Sequence, residues 1–156
     1  MTPEEVFRTL VQGVAAGRYA GLTELYAEQT DVRHPMHPDR PEPLRSRAEL
    51  RAHFGGGEDA PEDATEDPLV RFEAVDIVVH RTEDPEVIVG EFAYAGSVTG
   101  SDESFHVPCV FVMRVRDGEI VESRDYVDHA AMAKARERIG EITADRREPA
   151  PGAAAS

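Results

Sequence analysis

The sequence predicts an α+β domain, helices first and strands after, and three observations predict it. Apolar residues recur at helical spacing through the first sixteen positions. Strand-type residues then recur in four runs between Leu69 and Val127. No helical pattern separates those runs, as alternating βαβ units would require.

Each element has a local reason. Thr2 is the N-cap candidate of a first helix over Pro3–Ala16, Pro3 fits its first position, and Glu5 completes a capping-box spacing. Val6, Phe7, Leu10 and Val14 form its apolar stripe, and Gly17 is its stop. Tyr19 to Tyr26 reads as a second short helix, and Asp31 to Met36 as a short strand stopped by Pro35 and Pro38. A proline-rich loop follows over Asp39–Pro43. Ser46 caps a third helix over Arg47–Phe54, and Gly55-Gly56-Gly57 ends it. Strands are expected over Leu69–Arg81, Glu86–Val98, Phe105–Arg116 and Glu119–Val127. Gly90 and Gly96 suggest a bend or bulge in the second of these. A last helix is expected over His129–Ile142, giving one domain over residues 1–143 and a disordered tail over 144–156.

Composition narrows the function. Of 156 residues, 40% are apolar, enough for one domain with a real core. A net charge of −14 argues against nucleic acid and against anionic membrane surfaces as partners. Many of the acids lie in one stretch, Glu58–Asp67, which reads as a solvated loop. No apolar run is long enough to span a membrane, and the acidic start lacks the features of a secretory signal, so a cytoplasmic protein is expected. A single cysteine, Cys109, excludes an intramolecular disulfide and a cysteine-based zinc site. Its apolar strand makes it a core residue. There is no metal-ligand motif, no phosphate loop and no serine nucleophile elbow, so neither a metal nor a cofactor is expected.

The richest stretch is Val110–Asp128, VFVMRVRDGEIVESRDYVD. Asp117-Gly118 between two strand runs is a strong hairpin signal. Side chains alternate along a strand, so Ser123, Asp125 and Val127 share one face and Glu122, Arg124, Tyr126 and Asp128 the other. If the first face is the buried one, Asp125 points into an apolar cavity with its pKa raised, ready for acid or base work. Otherwise all these charges are solvated strand-end groups.

The helix pair with AAGRYAGLTELYAEQTDVRHP, the RAELRAHF helix, the strand VIVGEFAYAG and this hairpin together resemble the SnoaL-like branch of the NTF2-like superfamily. The resemblance spans about residues 3–135. It implies a cone: a curved antiparallel sheet wrapped around the N-terminal helices, with an internal pocket at its mouth. It also implies a cofactor-independent enzyme of cyclase or isomerase type, acting by proton transfer on a small apolar carbonyl compound. A homodimer through the outer sheet face, with Val110, Val112 and Arg114 on it, is expected.

Residue by residue, the resemblance discriminates among activities. Ketosteroid isomerases have a general-base aspartate where this chain has His34. Their tyrosine and protonated-aspartic-acid oxyanion donors fall at Leu10 and Phe111, so that design is absent. Limonene epoxide hydrolases use an Asp–Arg–Asp set, of which only Asp125 is matched; Phe92 and Tyr94 hold the other two places. SnoaL-like cyclases use a pocket aspartate, and Asp125 is its counterpart. The resemblance therefore places Asp125 in a pocket as acid/base, His34 as its assisting base and Tyr94 as a hydrogen-bond donor to a carbonyl or enolate oxygen. Phe92, Phe111, Met113, Tyr26, Phe54, Ser123 and Val127 are the expected substrate-binding wall. His37, His53 and His80 are expected at the surface, and His129 near the pocket mouth. A non-catalytic binder of hydrophobic ligands, an accessory subunit, and an epoxide hydrolase with a rearranged site are the alternatives.

Overall fold

The structure, a computed structural model, describes residues 1–55 and 69–147. The acidic stretch Glu58–Asp67 and the tail beyond Arg147 lie outside the described residues. The elements are α1 (Pro3–Ala15), a 3-10 turn (Leu22–Leu25), β1 (Tyr26–Arg33), β2 (Leu44–Ser46), α2 (Arg47–His53), β3 (Val70–Arg81), β4 (Val87–Val98), β5 (Ser104–Arg116), β6 (Glu119–Val127) and α3 (His129–Arg147). The class is α+β, as expected.

The six strands form one sheet in the order β2-β1-β6-β5-β4-β3. It is mixed, which corrects the expected antiparallel sheet: β1 runs parallel to β6. A parallel neighbour needs a long crossover rather than a tight turn. Here everything from β2 to β5 lies between the two strands in sequence.

The first helix forms as its sequence dictates. Thr2 Oγ1 accepts the Glu5 N–H at 3.2 Å, and Glu5 Oε2 accepts the Thr2 N–H at 2.7 Å. That reciprocal cap contributes about 1 kcal/mol. Val6, Phe7, Leu10 and Val11 are buried against the sheet. The expected second helix shrinks to one 3-10 turn. Gly17 (φ 70°) and Gly21 (φ 79°) interrupt the helical backbone, and Tyr26 already begins β1. β1 accordingly ends at Arg33, three residues before the expected Met36, and leaves His34 just past its end. β2 was not expected; Thr30 Oγ1 donates to the Leu44 carbonyl at 3.0 Å across the β1–β2 pair. α3 runs beyond the expected Ile142 to Arg147, through part of the expected tail.

Gly90 and Gly96 do not mark a bulge: the β4–β5 register is unbroken from Val87 to Ser97. They make room for aromatic rings instead. A Cβ on Gly90 would lie 2.2 Å from Phe7 Cζ, and one on Gly96 would lie 2.4 Å from Phe72 Cε1. The irregularities fall elsewhere, in β3 at Asp76 (φ 54°), in both pairings of β1 and in the β5–β6 hairpin.

The hairpin turn has the form its sequence predicts. Asp117 (φ 51°) and Gly118 (φ 79°) both take the left-handed backbone of a two-residue type I′ loop. Beyond it, Val115 pairs with Ile120 but Arg114 pairs with Glu122, so β6 carries one extra residue. That bulge decides the site. It lets Ile120 face the core and still turns Ser123, Asp125 and Val127 inward, opposite Met113, Phe111 and Cys109.

Candidate functional site

A cavity of about 350 Å³ lies between the inner sheet face, α1, α2 and the start of α3. Leu10, Val32, Leu50 and Phe111 supply apolar wall, and Asp125 lies among them. Asp125 is only 7% exposed, yet no Lys or Arg contacts it among the described residues. Among the described residues its one hydrogen bond comes from the Ser123 hydroxyl to Oδ1. Burial pushes its carboxyl up to about 7, against the smaller lowering by Ser123.

His34 reaches Asp125 through strand register. Arg33 of β1 is level with Arg124 of β6, so the next residue on each chain, His34 and Asp125, meet on the inner side. His34 Nε2 stands 3.7 Å from Asp125 Oδ2. Burial first, then His53, His129 and His37, pushes the imidazole down to about 4, so it is uncharged at neutral pH. The contact at that pH is therefore between a neutral imidazole and a carboxyl near its midpoint, not a salt bridge.

Tyr94, Tyr26, Phe54 and Val127 line the same cavity. Burial, then Cys109 and Asp125, raises the Tyr94 hydroxyl well above its usual pKa, which keeps it a hydrogen-bond donor. Phe54 packs on Tyr26 and stacks on Tyr19, with centroids 6.3 Å and 6.0 Å away.

Three expected wall residues are not in the wall. Phe92 is covered by edge-on contacts with Phe7, Tyr94 and Phe111. Met113 and Ser123 are 0% and 1% exposed, inside the core. α1 covers this end of the sheet, so the cavity begins only beyond Phe111. Ser123 still matters, through its bond to Asp125. Cys109 is a buried core residue, its thiol pushed up to about 12 by burial.

Two histidines expected at the surface also line the cavity: His53 is exposed as expected, and His37 is half-buried. His53, at the end of α2, lies 5.2 Å from His34 between ring centroids, and His37 lies 4.7 Å from His129. His37 Nδ1 accepts the Asp39 N–H at 3.1 Å, which fixes its tautomer with the proton on Nε2. Backbone bonds from His37 to the His34 carbonyl and from Arg40 to the His37 carbonyl fold the proline-rich loop into turns over the cavity. His80 and His106 are exposed on the outer face, near Glu91 and Asp76. The only sequence signal for His37 was its place between Pro35 and Pro38, which reads equally as exposed loop. Among the described residues, no three His, Cys, Asp or Glu side chains converge closely enough to hold a metal ion.

Comparison with known proteins agrees with this fold. A family model described as the SnoaL-like domain matches residues 7–123, from within α1 to two residues before Asp125. No protein curated for its function matches the chain in sequence. Among solved structures, a provisionally assigned isomerase from Bacillus subtilis is 21% identical with a TM-score of 0.67, over 86% of this chain and 92% of that one. A provisionally assigned polyketide cyclase from Pseudomonas putida is 19% identical with a TM-score of 0.57, over 81% and 91%. A phenazine biosynthesis-related protein from Pseudomonas aeruginosa is 17% identical with a TM-score of 0.61, over 85% and 83%. These likenesses show a shared NTF2-like fold. With three quarters of its length inside the family model, the chain belongs to the SnoaL-like domain family.

Proposed function

We propose that this protein is an acid/base enzyme acting on a small, mainly apolar carbonyl compound, by aldol-type cyclisation or by isomerisation. One observation carries the reading: a carboxyl 7% exposed, in a cavity wall, with no Lys or Arg in contact with it among the described residues. A group poised near 7 can take a proton and return it at the same pH.

In this reading the Asp125 carboxylate removes a proton from the carbon beside the substrate carbonyl. The C–H electron pair moves into the carbonyl, forming an enolate, and the Tyr94 hydroxyl donates a hydrogen bond to the enolate oxygen. The enolate carbon then attacks a second carbonyl to close a ring, whose alkoxide takes the proton back. Alternatively the proton returns to a different carbon, which is isomerisation. His34, uncharged, hydrogen-bonds the reacting proton's path or the substrate oxygen. The reaction is redox-neutral and needs no group carrier.

The competing reading is a non-catalytic binder of apolar ligands, favoured by the aromatic residues at positions 92 and 111, where related enzymes carry polar ones. One experiment separates the two. Wild type and Asp125→Asn are incubated with apolar enones, polyketide-like β-carbonyl aromatics and epoxides, and product is followed by mass spectrometry. The enzyme reading expects product from wild type and a loss of about 100-fold or more in Asp125→Asn. Equal turnover by both proteins sinks it, and equal melting shifts with no product favour the binder. Pairing of two copies through the outer face, where Val78 is 49% exposed near Val110 and Val112, belongs to the same proposal. Light scattering on wild type and Val112→Lys tests it.

A further inference from the structure

Asp125 is buried, so a proton it takes up needs a way to water. Ser123, Tyr26, Tyr94 and Cys109, the polar groups of the inner face that feel its charge or bond to it, are all buried as well. His34 leads outward. Its side chain is 15% exposed against 9% for that of Asp125, whose Oδ2 it faces at 3.7 Å. Its ring lies beside that of His53, with centroids 5.2 Å apart and planes tilted by 35°. His53 is exposed. Exposure therefore rises step by step from Asp125 to His34 to His53, through side chains that can each take and release a proton.

The row is built into the fold. The β1–β6 register sets His34 beside Asp125. His53 is the last residue of α2, and Arg47, the first, ties that helix to the same two strands. Arg47 Nε donates to the Tyr26 carbonyl of β1 at 2.8 Å, and Nη2 donates to Glu119 of β6 at 3.1 Å. Both imidazoles are held uncharged at neutral pH, His34 by burial and its histidine neighbours, His53 by burial and then His37. A neutral imidazole has one nitrogen that accepts and one that donates, which is what passing a proton through requires. Both rings stand in the cavity wall, so an apolar substrate that displaces water from the cavity leaves them in place.

We infer that His34 and His53 form a proton path in the cavity wall, through which Asp125 exchanges the proton taken from a bound substrate with bulk water. This rests on the acid/base reading and deepens it by giving His53 a part in the proton traffic. The Asp125 carboxyl gives its proton to Nε2 of His34 as His34 gives the proton of its other ring nitrogen to His53, which releases it to water. Asp125 is left a carboxylate, both imidazoles neutral and one proton in solvent, and the same steps in reverse bring a solvent proton back. A small ring rotation or one bridging water closes the gaps between the groups. His53 touches no reacting atom; it is a carrier.

The probe is a bicyclic β,γ-unsaturated octalone with its double bond at the ring fusion. Asp125 moves a proton from its α carbon to a ring-fusion carbon, giving the conjugated enone. The reaction is run in heavy water at mildly alkaline pD, and deuterium at the ring-fusion carbon is read at low conversion by NMR and mass spectrometry. A carboxyl sealed from water returns the substrate's own protium, whereas an open path returns deuterium. Most of the wild-type product is expected to carry deuterium. His53→Gln, whose amide does not relay protons, should lower the ratio of deuterated to undeuterated product about 10-fold or more, a modest share of what a positioned proton carrier contributes. Imidazole added to His53→Ala should raise that variant's ratio toward the wild-type value. The ratio is read on product actually formed, so lost rate or stability does not mimic the effect. Mainly protium in the wild-type product, or an unchanged ratio in His53→Gln, overturns the path and leaves the acid/base reading standing. No conversion by wild type, or equal conversion by Asp125→Asn, overturns both.

Discussion

The two faces of the β5–β6 hairpin treat carboxylates in opposite ways. On the outer face, Arg114 Nη1 lies 2.8 Å from Asp84 and 3.1 Å from Glu86, and its Nε lies 3.4 Å from Glu122. Arg116 adds a contact to Glu86 at 3.0 Å. Hydrogen bonds from these arginines hold Asp84 and Glu86 below the usual carboxylate range. On the inner face, Asp125 has a serine hydroxyl and a neutral imidazole for company, and burial carries it up to about 7. The arginines and Asp125 stand on the same two strands, while Asp84 and Glu86 come from the connection between β3 and β4. Pairing in water fixes a carboxylate as a permanent anion, whereas burial without a cation leaves a proton that can be exchanged.

The comparison breaks most visibly if the inner carboxyl is replaced. Between pH 4 and 7 the folded chain keeps a proton on Asp125 that the unfolded chain, with an ordinary carboxyl at 3.8, has released. Stability is therefore lost as pH rises through this window, by a total on the order of 4 kcal/mol above pH 7. Asp125→Asn has no such proton. It should match wild type near pH 4 and become progressively more stable than it toward pH 8 in urea or thermal melts. His34 acts with the opposite sign. Its folded pKa is lowered to about 4, so its contribution is lost as pH falls from its ordinary 6.5 toward 4. Because both proteins retain His34, the difference between them isolates Asp125. A difference that does not grow with pH would mean that the carboxyl is not held near 7.

Inner-face packing makes the next largest prediction. Gly90→Ala places a Cβ against a Phe7 ring that is 0% exposed and meets Phe92 and Phe111 edge-on at 5.7 Å and 6.3 Å. The ring has little room to retreat, so the variant should lose about 1–3 kcal/mol in chemical denaturation. Ser123→Ala sharpens the electrostatic half of the comparison. It removes the one hydrogen bond that lowers the Asp125 pKa, so the rise of kcat/KM with pH, governed by that carboxyl, should move above 7. An unmoved profile would assign the titration to another group.

What the sequence made legible follows the range of the interactions. The Thr2 cap, the Asp117-Gly118 turn and the period-two alternation of β5 and β6 are local, and each stands where its residues predict. Placing Asp125 and His34 side by side required the family resemblance, because the parallel β1–β6 pairing joins positions about ninety residues apart. The histidines at the mouth were missed for the same reason. His37 occupies a turn, which looks exposed until α3 brings His129 against it, and His53, exposed at a helix end, joins the cavity beside His34. Glycine was misread at Gly90 because a strand glycine serves a bulge or an incoming ring equally well. Only the position of Phe7 on α1 decides between them.

The smallest effect belongs to the outer face. Arg114→Gln removes a guanidinium shared by three carboxylates, and the loss should be slight because such surface pairs are screened by water and salt. Two features mark it as the counterpart of Asp125→Asn. The melting difference from wild type should shrink as sodium chloride is raised, since the attraction lost is one that salt already weakens. Between pH 5 and 8 it should not change in sign or grow, because Asp84 and Glu86 are ionised throughout that range. The inner-face variant should do the reverse, responding to pH and little to salt, since a buried carboxyl is screened far less than an exposed pair. If the two variants respond alike to both variables, the faces are not electrostatically distinct. Asp125 would then be an ordinary surface-like carboxylate with no special claim to the chemistry.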